Sequence, residues 1–202
     1  MMPKTQKQLQ SEQTRQRIVE AAAQLFVRKG FYGTSMSDLA QATGLTKGAL
    51  YHHFENKDTI FFAVIEAVRD AWREAVARDV LKARDALTRL AILFDNHARC
   101  ISENETLCLV LGSLVAEMDG VNPTFMVALE KIYADLTLFI ERIIRKGQAV
   151  GQVRPDLDAR LAALNIVGML STGCSRILNR MSANYTARMT TLKQMLLDGL
   201  RP

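Results

Sequence analysis

The 202-residue sequence predicts an all-α protein, and three observations carry that reading. Prolines stand only at positions 3, 123, 155 and 202, leaving long stretches through which a helix can run without losing a backbone hydrogen bond. No Val-, Ile- or Thr-rich run alternates apolar and polar residues between hairpin turns, as a sheet would require. Apolar residues recur instead at spacings of three and four, which puts them on one face of a 3.6-residue turn. With 49% apolar residues the chain can bury a core without disulfide staples.

Residues 1–13 read as a flexible, basic arm. Behind it Ile18, Ala21, Ala22, Leu25 and Phe26 form the stripe of a first amphipathic helix, which Gly30 is placed to cap before the loop Phe31, Tyr32, Gly33. Ser35 with Asp38 three positions on has the pattern of a capping box, so a short second helix opens there and buries Met36, Leu39 and Ala40. Thr43, Gly44 and Leu45 read as a turn, and Thr46 as the cap of a third helix that runs to Phe54. Asn56 caps a fourth, whose stripe from Ile60 through Val68 to Trp72, Ala75 and Val76 links the front module to the body. Further helices are expected near 84–102, 104–118, 123–147, 156–179 and 183–199, about nine in all, with Gly120, Pro123, Gly151 and Pro155 at boundaries. The domains expected are the arm, a DNA-binding module at 14–58, and a ligand-binding and dimerisation domain at 59–202.

The segment Thr34–Lys57 joins two short helices through a glycine turn, the arrangement that sends a recognition helix into a major groove. On the third helix Leu50 and Phe54 define a buried side. Gly48, Ala49 and His52 fall opposite, with Tyr51 and His53 on the flanks. Gly48 costs about 1 kcal/mol of helix propensity relative to Ala, yet lets a partner approach the backbone. A net charge of +5 and a pI near 9.3 suit a polyanionic partner, and the basic excess is densest before residue 58.

These residues resemble the TetR family of bacterial transcriptional regulators. The likeness rests on the alanine-rich first helix ending at Gly30, Thr34 and Ser35, Leu39 and Ala40, Gly44, and above all the run from Thr46 through Lys47, Gly48, Ala49, Leu50, Tyr51, His52 and His53 to Phe54, followed by Lys57. It covers about Arg17 to Phe61 residue by residue, and the remainder only in helical layout. The resemblance implies that Ser35, Thr46, Tyr51, His53 and Lys57 contact phosphate, which positions the module. It makes Ser37, Lys47, Gly48, Ala49 and His52 the groove-facing set: Lys47 toward guanine O6 or N7, His52 toward a base edge or phosphate, and the Ala49 methyl toward a thymine methyl.

It further implies a repressor that binds a palindromic operator as a homodimer, is released by a small-molecule effector, and pairs its last two helices into a four-helix bundle. Leu161, Leu164, Ile166, Val167, Leu170, Ile177, Met189, Leu192, Met195 and Leu196 would supply the apolar area, with Gly168 and Gly173 allowing close approach. The effector and its pocket residues stay open: Trp72, Phe94, His97, Met118, Phe125 and Tyr133 suit either a pocket or ordinary core.

Other classes fare worse. There is no GxSxG, HExxH or P-loop, and only three histidines, so no enzyme and no cofactor is expected. His52 and His53 point about 100° apart on a helix with no third ligand at metal spacing, so no metal is expected either. An architectural DNA binder would not need so large an apolar body; a nucleic-acid-independent ligand carrier is the remaining class, which an operator-binding assay separates from a regulator. Cys100, Cys108 and Cys174 are odd in number and read as thiols of a reducing compartment, the cytoplasm, although a redox role for one of them stays open. With no apolar leader or long apolar span, no membrane partner is expected, and the glycosylation patterns at Asn104 and Asn184 read as chance.

Overall fold

The computed structural model describes residues 5–172 and 185–202, with only the backbone of Leu107, Cys108 and Thr172. All regular structure among them is helical: α1 Gln6–Lys29, α2 Met36–Thr43, α3 Lys47–His53, α4 Lys57–Trp72, α5 Ala86–Glu103, α6 Glu105–Met118, α7 Pro123–Ala149, α8 Ala159–Thr172 and α9 Tyr185–Leu200, with a π turn at Arg73–Ala77 and a 3₁₀ turn at Val80–Lys82. None of these helices is long and apolar enough to cross a membrane.

The caps expected at Ser35, Thr46 and Asn56 all form, each side chain accepting from the amide three residues on. Gly44 ends α2 at φ +68°, and the Gly44 and Leu45 amides return to carbonyls of the helix's last turn, a left-handed cap that only glycine takes without strain. One boundary needs correction. Residues 6–13 are the opening turns of α1 rather than an arm, because Thr5 and Gln8 make a reciprocal capping box that starts the helix early. Residues 1–4 of the expected arm lie outside the described residues.

The stripe read through Trp72 to Val76 breaks its period. After Trp72 the helix widens by one residue per turn, with Arg78 N–H reaching back to Arg73, and Asn96 of α5 donates to the Val76 carbonyl at 3.1 Å.

Among the described residues two apolar cores result. The front core gathers Ile18, Ala22 and Phe26 of α1, Leu39, Leu50 and Phe54, Ile60 to Val68 of α4, and also Val110, Leu114 and Met118 of α6 with Phe125 and Leu129 of α7. The body core is built from α5, α7, α8 and α9 around Leu90, Leu93, Phe94, Ile140, Ile144 and Ile166. The front core therefore runs straight across the pattern boundary at residue 58. Its centre is Phe31, in the α1–α2 loop, edge-on to Phe26, Phe61 and Phe125 at 5.3, 5.6 and 5.3 Å, while Phe61 and Phe125 stack at 4.0 Å.

On α8 the expected dimer residues divide. Ile166, Val167 and Leu170 face the protomer's own core and are corrected to that role; Leu161, Leu164 and Gly168 are exposed on the opposite side. On α9 Met189 is buried, Leu192 and Leu196 are half-buried, and Met195 is exposed. Gly173 and Ile177 lie outside the described residues.

Since Phe31 joins α1, α4 and α7, Phe31→Ala is expected to cost about 3–5 kcal/mol. Urea unfolding followed by far-ultraviolet circular dichroism measures it.

Candidate nucleic-acid interface

The third helix turns two unlike faces outward and inward. Leu50 is fully buried and Phe54 nearly so, while Lys47, Gly48, Tyr51 and His52 are exposed and Ala49 and His53 half-exposed. A methyl added at Gly48 would meet nothing within 4 Å, so no packing inside the chain requires glycine there. Ser35, Ser37 and Thr46 stand exposed at the openings of α2 and α3. The ten residues expected to touch DNA thus lie on α2, α3 and their caps and at the start of α4, although their chemical freedom differs.

The Thr46 oxygen accepts from the Ala49 amide at 3.1 Å, which leaves its hydroxyl proton available to an outside acceptor. Ser35 is more committed, since its hydroxyl donates to Asp38 at 2.5 Å while its oxygen accepts the Asp38 amide. His53 is held below the ordinary imidazole range, first by desolvation and then by the charges of His52 and Arg15. Near pH 7 it offers one neutral N–H.

Lys57 has a role that sequence spacing does not reveal. Its ammonium donates to the carbonyls of Phe31 at 2.7 Å and Thr34 at 2.8 Å and lies 4.3 Å over the Phe31 ring. Burial lowers its pKa, opposed by the nearby Asp58 and Glu117 charges. Two of its three protons therefore hold the α1–α2 loop, and one is left over.

Three further residues shape the interface. Arg17 of α1 donates to the Thr43 carbonyl at 2.9 Å and so clamps the turn between α2 and α3. Arg15 lies 4.7 Å over the Phe54 ring, at the end of the recognition helix. From the body, Glu117 of α6 accepts the amides of Phe31 and Tyr32 at 2.6 and 2.8 Å. None of these contacts is periodic; only the two arginines, next to the apolar stripe of α1, could have drawn attention.

The body holds a cavity of about 590 Å³, in the range of small-molecule sites. Its wall is mostly apolar, from Val68, Leu111, Ile132, Leu136 and Phe139, with Trp72, His97 and Tyr133 of the residues left open by the sequence. Phe94, Met118 and Phe125 belong to the cores. His97 is buried, its Nε2 facing the Leu170 carbonyl at 3.1 Å; a carbonyl only accepts, so Nε2 carries the proton. Arg69, Arg73 and Arg78 also line it, paired with Glu66, Asp70 and Glu74. Cys100 is half-buried in the wall, and the side chains of Cys108 and Cys174 lie outside the described residues.

Residues 18–64 match the family described as bacterial regulatory proteins, tetR family, and residues 86–192 match the tetracyclin repressor-like C-terminal domain. The chain belongs to the TetR family. It is a helix-turn-helix DNA-binding transcriptional regulator and not an enzyme.

Among TetR relatives, the fatty acid metabolism regulator protein of Bacillus subtilis is 21% identical over 184 residues, covering 91% of this chain and 93% of its own. The regulator TtgR of Pseudomonas putida is 27% identical over 166 residues, covering 77% and 75%. Solved TetR structures superpose along nearly the whole chain. A regulator from Agrobacterium tumefaciens has a TM-score of 0.81 at 18% identity, covering 95% of this chain and 100% of that one. AibR in complex with isovaleryl coenzyme A and operator DNA has a TM-score of 0.78 at 22% identity, covering 91% and 98%.

At the α2 opening, the Lys29 ammonium, then the Ser35 hydroxyl and amide, hold the Asp38 carboxyl well below the usual carboxylate range. A depressed carboxylate stabilises the fold above its unfolded pKa of about 3.9 and loses that contribution as pH falls toward the folded value. Asp38→Asn is thus expected to melt below the wild type at pH 7, with the gap narrowing below about pH 4. Thermal melts across pH check this.

Proposed function

We propose that the chain is an effector-released repressor that binds an inverted-repeat operator as a homodimer. The observation that carries this is the third helix, whose exposed side presents Lys47, Gly48, Ala49 and His52 as a small, polar surface backed by buried Leu50 and Phe54. A helix built this way can lie against base edges, with Lys47 donating to guanine and the Ala49 methyl meeting a thymine methyl. Ser37 completes the groove-facing set. Ser35, Thr46, Tyr51 and His53 surround it as phosphate contacts, and Lys57 joins them through its remaining proton.

Lys47 and Lys57 therefore separate in a test. Lys47→Ala is expected to cost about 1–3 kcal/mol per half-site on the selected operator and to relax one symmetric pair of positions. Lys57→Ala is expected to weaken all sequences alike, flattening the log–log salt slope by about 1.8 for a dimer. It should also lower the melting temperature, because the Phe31 and Thr34 carbonyls lose their donor. Matching losses and unchanged base preference in the two variants would remove these roles.

Dimerisation through α8 and α9 is supported by the exposed Leu161 and Leu164 near Gly168 on α8 and by the exposed Met195 on α9, apolar side chains that a second copy would cover. Two-fold pairing would present two recognition helices about one duplex turn apart, roughly 34–36 Å, and so select a palindrome. Leu164→Arg is expected to give a monomer in sedimentation and to abolish preference for an inverted repeat. A wild-type monomer at micromolar concentration would refute the dimer.

The apolar cavity, whose lining also carries Arg69, Arg73 and Arg78, supports release by a ligand with a hydrocarbon body. AibR's isovaleryl coenzyme A is one ligand of that kind.

A further inference from the structure

The α1–α2 loop offers two successive amides, Phe31 and Tyr32, as an anion nest, and the body fills it with the Glu117 carboxylate. Glu117 accepts from both, reaching across 86 and 85 residues of sequence. The backbone at Gly30 is shaped to this contact. Its φ is +77°, and a methyl placed there would lie 2.8 and 2.9 Å from the two carboxylate oxygens. On the other side of the loop, Lys57 holds the Phe31 and Thr34 carbonyls. The segment that leads into the helix-turn-helix is thus gripped at its donors by the body and at its acceptors by α4.

The same helix reaches the cavity. Leu111 and Gly112 of α6 line it, and Gly112 lies five residues before Glu117, about 1.4 turns. Leu111 packs on the front core as well as on the cavity.

We infer that Glu117 is a positioning residue for operator reading: its carboxylate fixes the recognition helix at one angle to the body, and thereby sets the spacing at which a dimer accepts two half-sites. Glu117 touches no base. Its effect falls on the geometry of paired sites, not on the affinity of one.

The inference rests on the dimeric operator reading above, and the test separates the two. Full-length wild type, Glu117→Gln and Glu117→Ala are titrated against the selected palindrome, the same palindrome with its spacer changed by one base pair either way, and a single half-site. Amide exchange at Phe31 and Tyr32 is followed in parallel. Glutamine keeps the side chain's size, so it carries the test if the alanine variant does not fold.

Wild type is expected to prefer one spacer. Both variants should lose on the order of tenfold of that preference, the usual scale of coupling between sites, with half-site affinity unchanged. Exchange of the two amides should rise about tenfold while amides of α5 and α7 keep their protection. Spacer preference equal to wild type in the glutamine variant, or half-site affinity lost as much as palindrome affinity, would overturn the inference. A wild type that selects no palindrome would instead overturn the operator reading, and unchanged exchange at Phe31 and Tyr32 would still count against Glu117 on its own.

Discussion

The placement of four residues, Phe31 to Thr34, governs the geometry of everything in front of the body. The loop is too short to carry a core, yet its first ring sits among Phe26, Phe61 and Phe125, from three different helices. The Phe31 and Tyr32 amides go to a carboxylate and the Phe31 and Thr34 carbonyls to an ammonium, so the polar groups beside the buried ring find partners. The ammonium also gains from lying over the Phe31 ring. Together, on opposite edges of one loop, the two charges are compensated. Lys57 also stands at the positive end of α4, where a cation is disfavoured, and the two carbonyls and the Phe31 ring offset that cost.

From this knot the recognition helix is positioned in stages. Ser35 and Asp38 open α2 directly after the loop, Gly44 closes it, and Arg17 reaches from α1 to hold the turn that follows. Leu50 and Phe54 then pin α3 to the front core. Because that core includes Leu114 and Met118 of α6 and Phe125 of α7, the reading module is not an appendage on a hinge. It shares side chains with the domain that encloses the cavity.

What could be read from sequence was local. The Ser35, Thr46 and Asn56 caps act over three residues, and Leu50 with Phe54 over four, so propensity and periodicity suffice to find them. The helical start at Thr5 was equally local, with Gln8 three positions on, but the residues behind it lack an apolar stripe and read as an arm. Long-range contacts were out of reach. Nothing near Lys57 signals that its ammonium turns back 26 and 23 residues to two carbonyls, and nothing near Glu117 points to residue 31. Helix α8 shows a different limit. It is apolar on two sides, and periodicity cannot tell which of Leu164 and Ile166 faces the protomer's own core.

The wall of the cavity contains the chain's single tryptophan. Trp72 is half-buried, edge-on to Phe139 at 5.7 Å, at the junction where α4 passes into the π turn. Its emission therefore comes from one place only, and that place is where a guest would displace water and where the helix changes its winding. The protein carries an intrinsic optical gauge of its own interior, usable without a label and unclouded by any second indole.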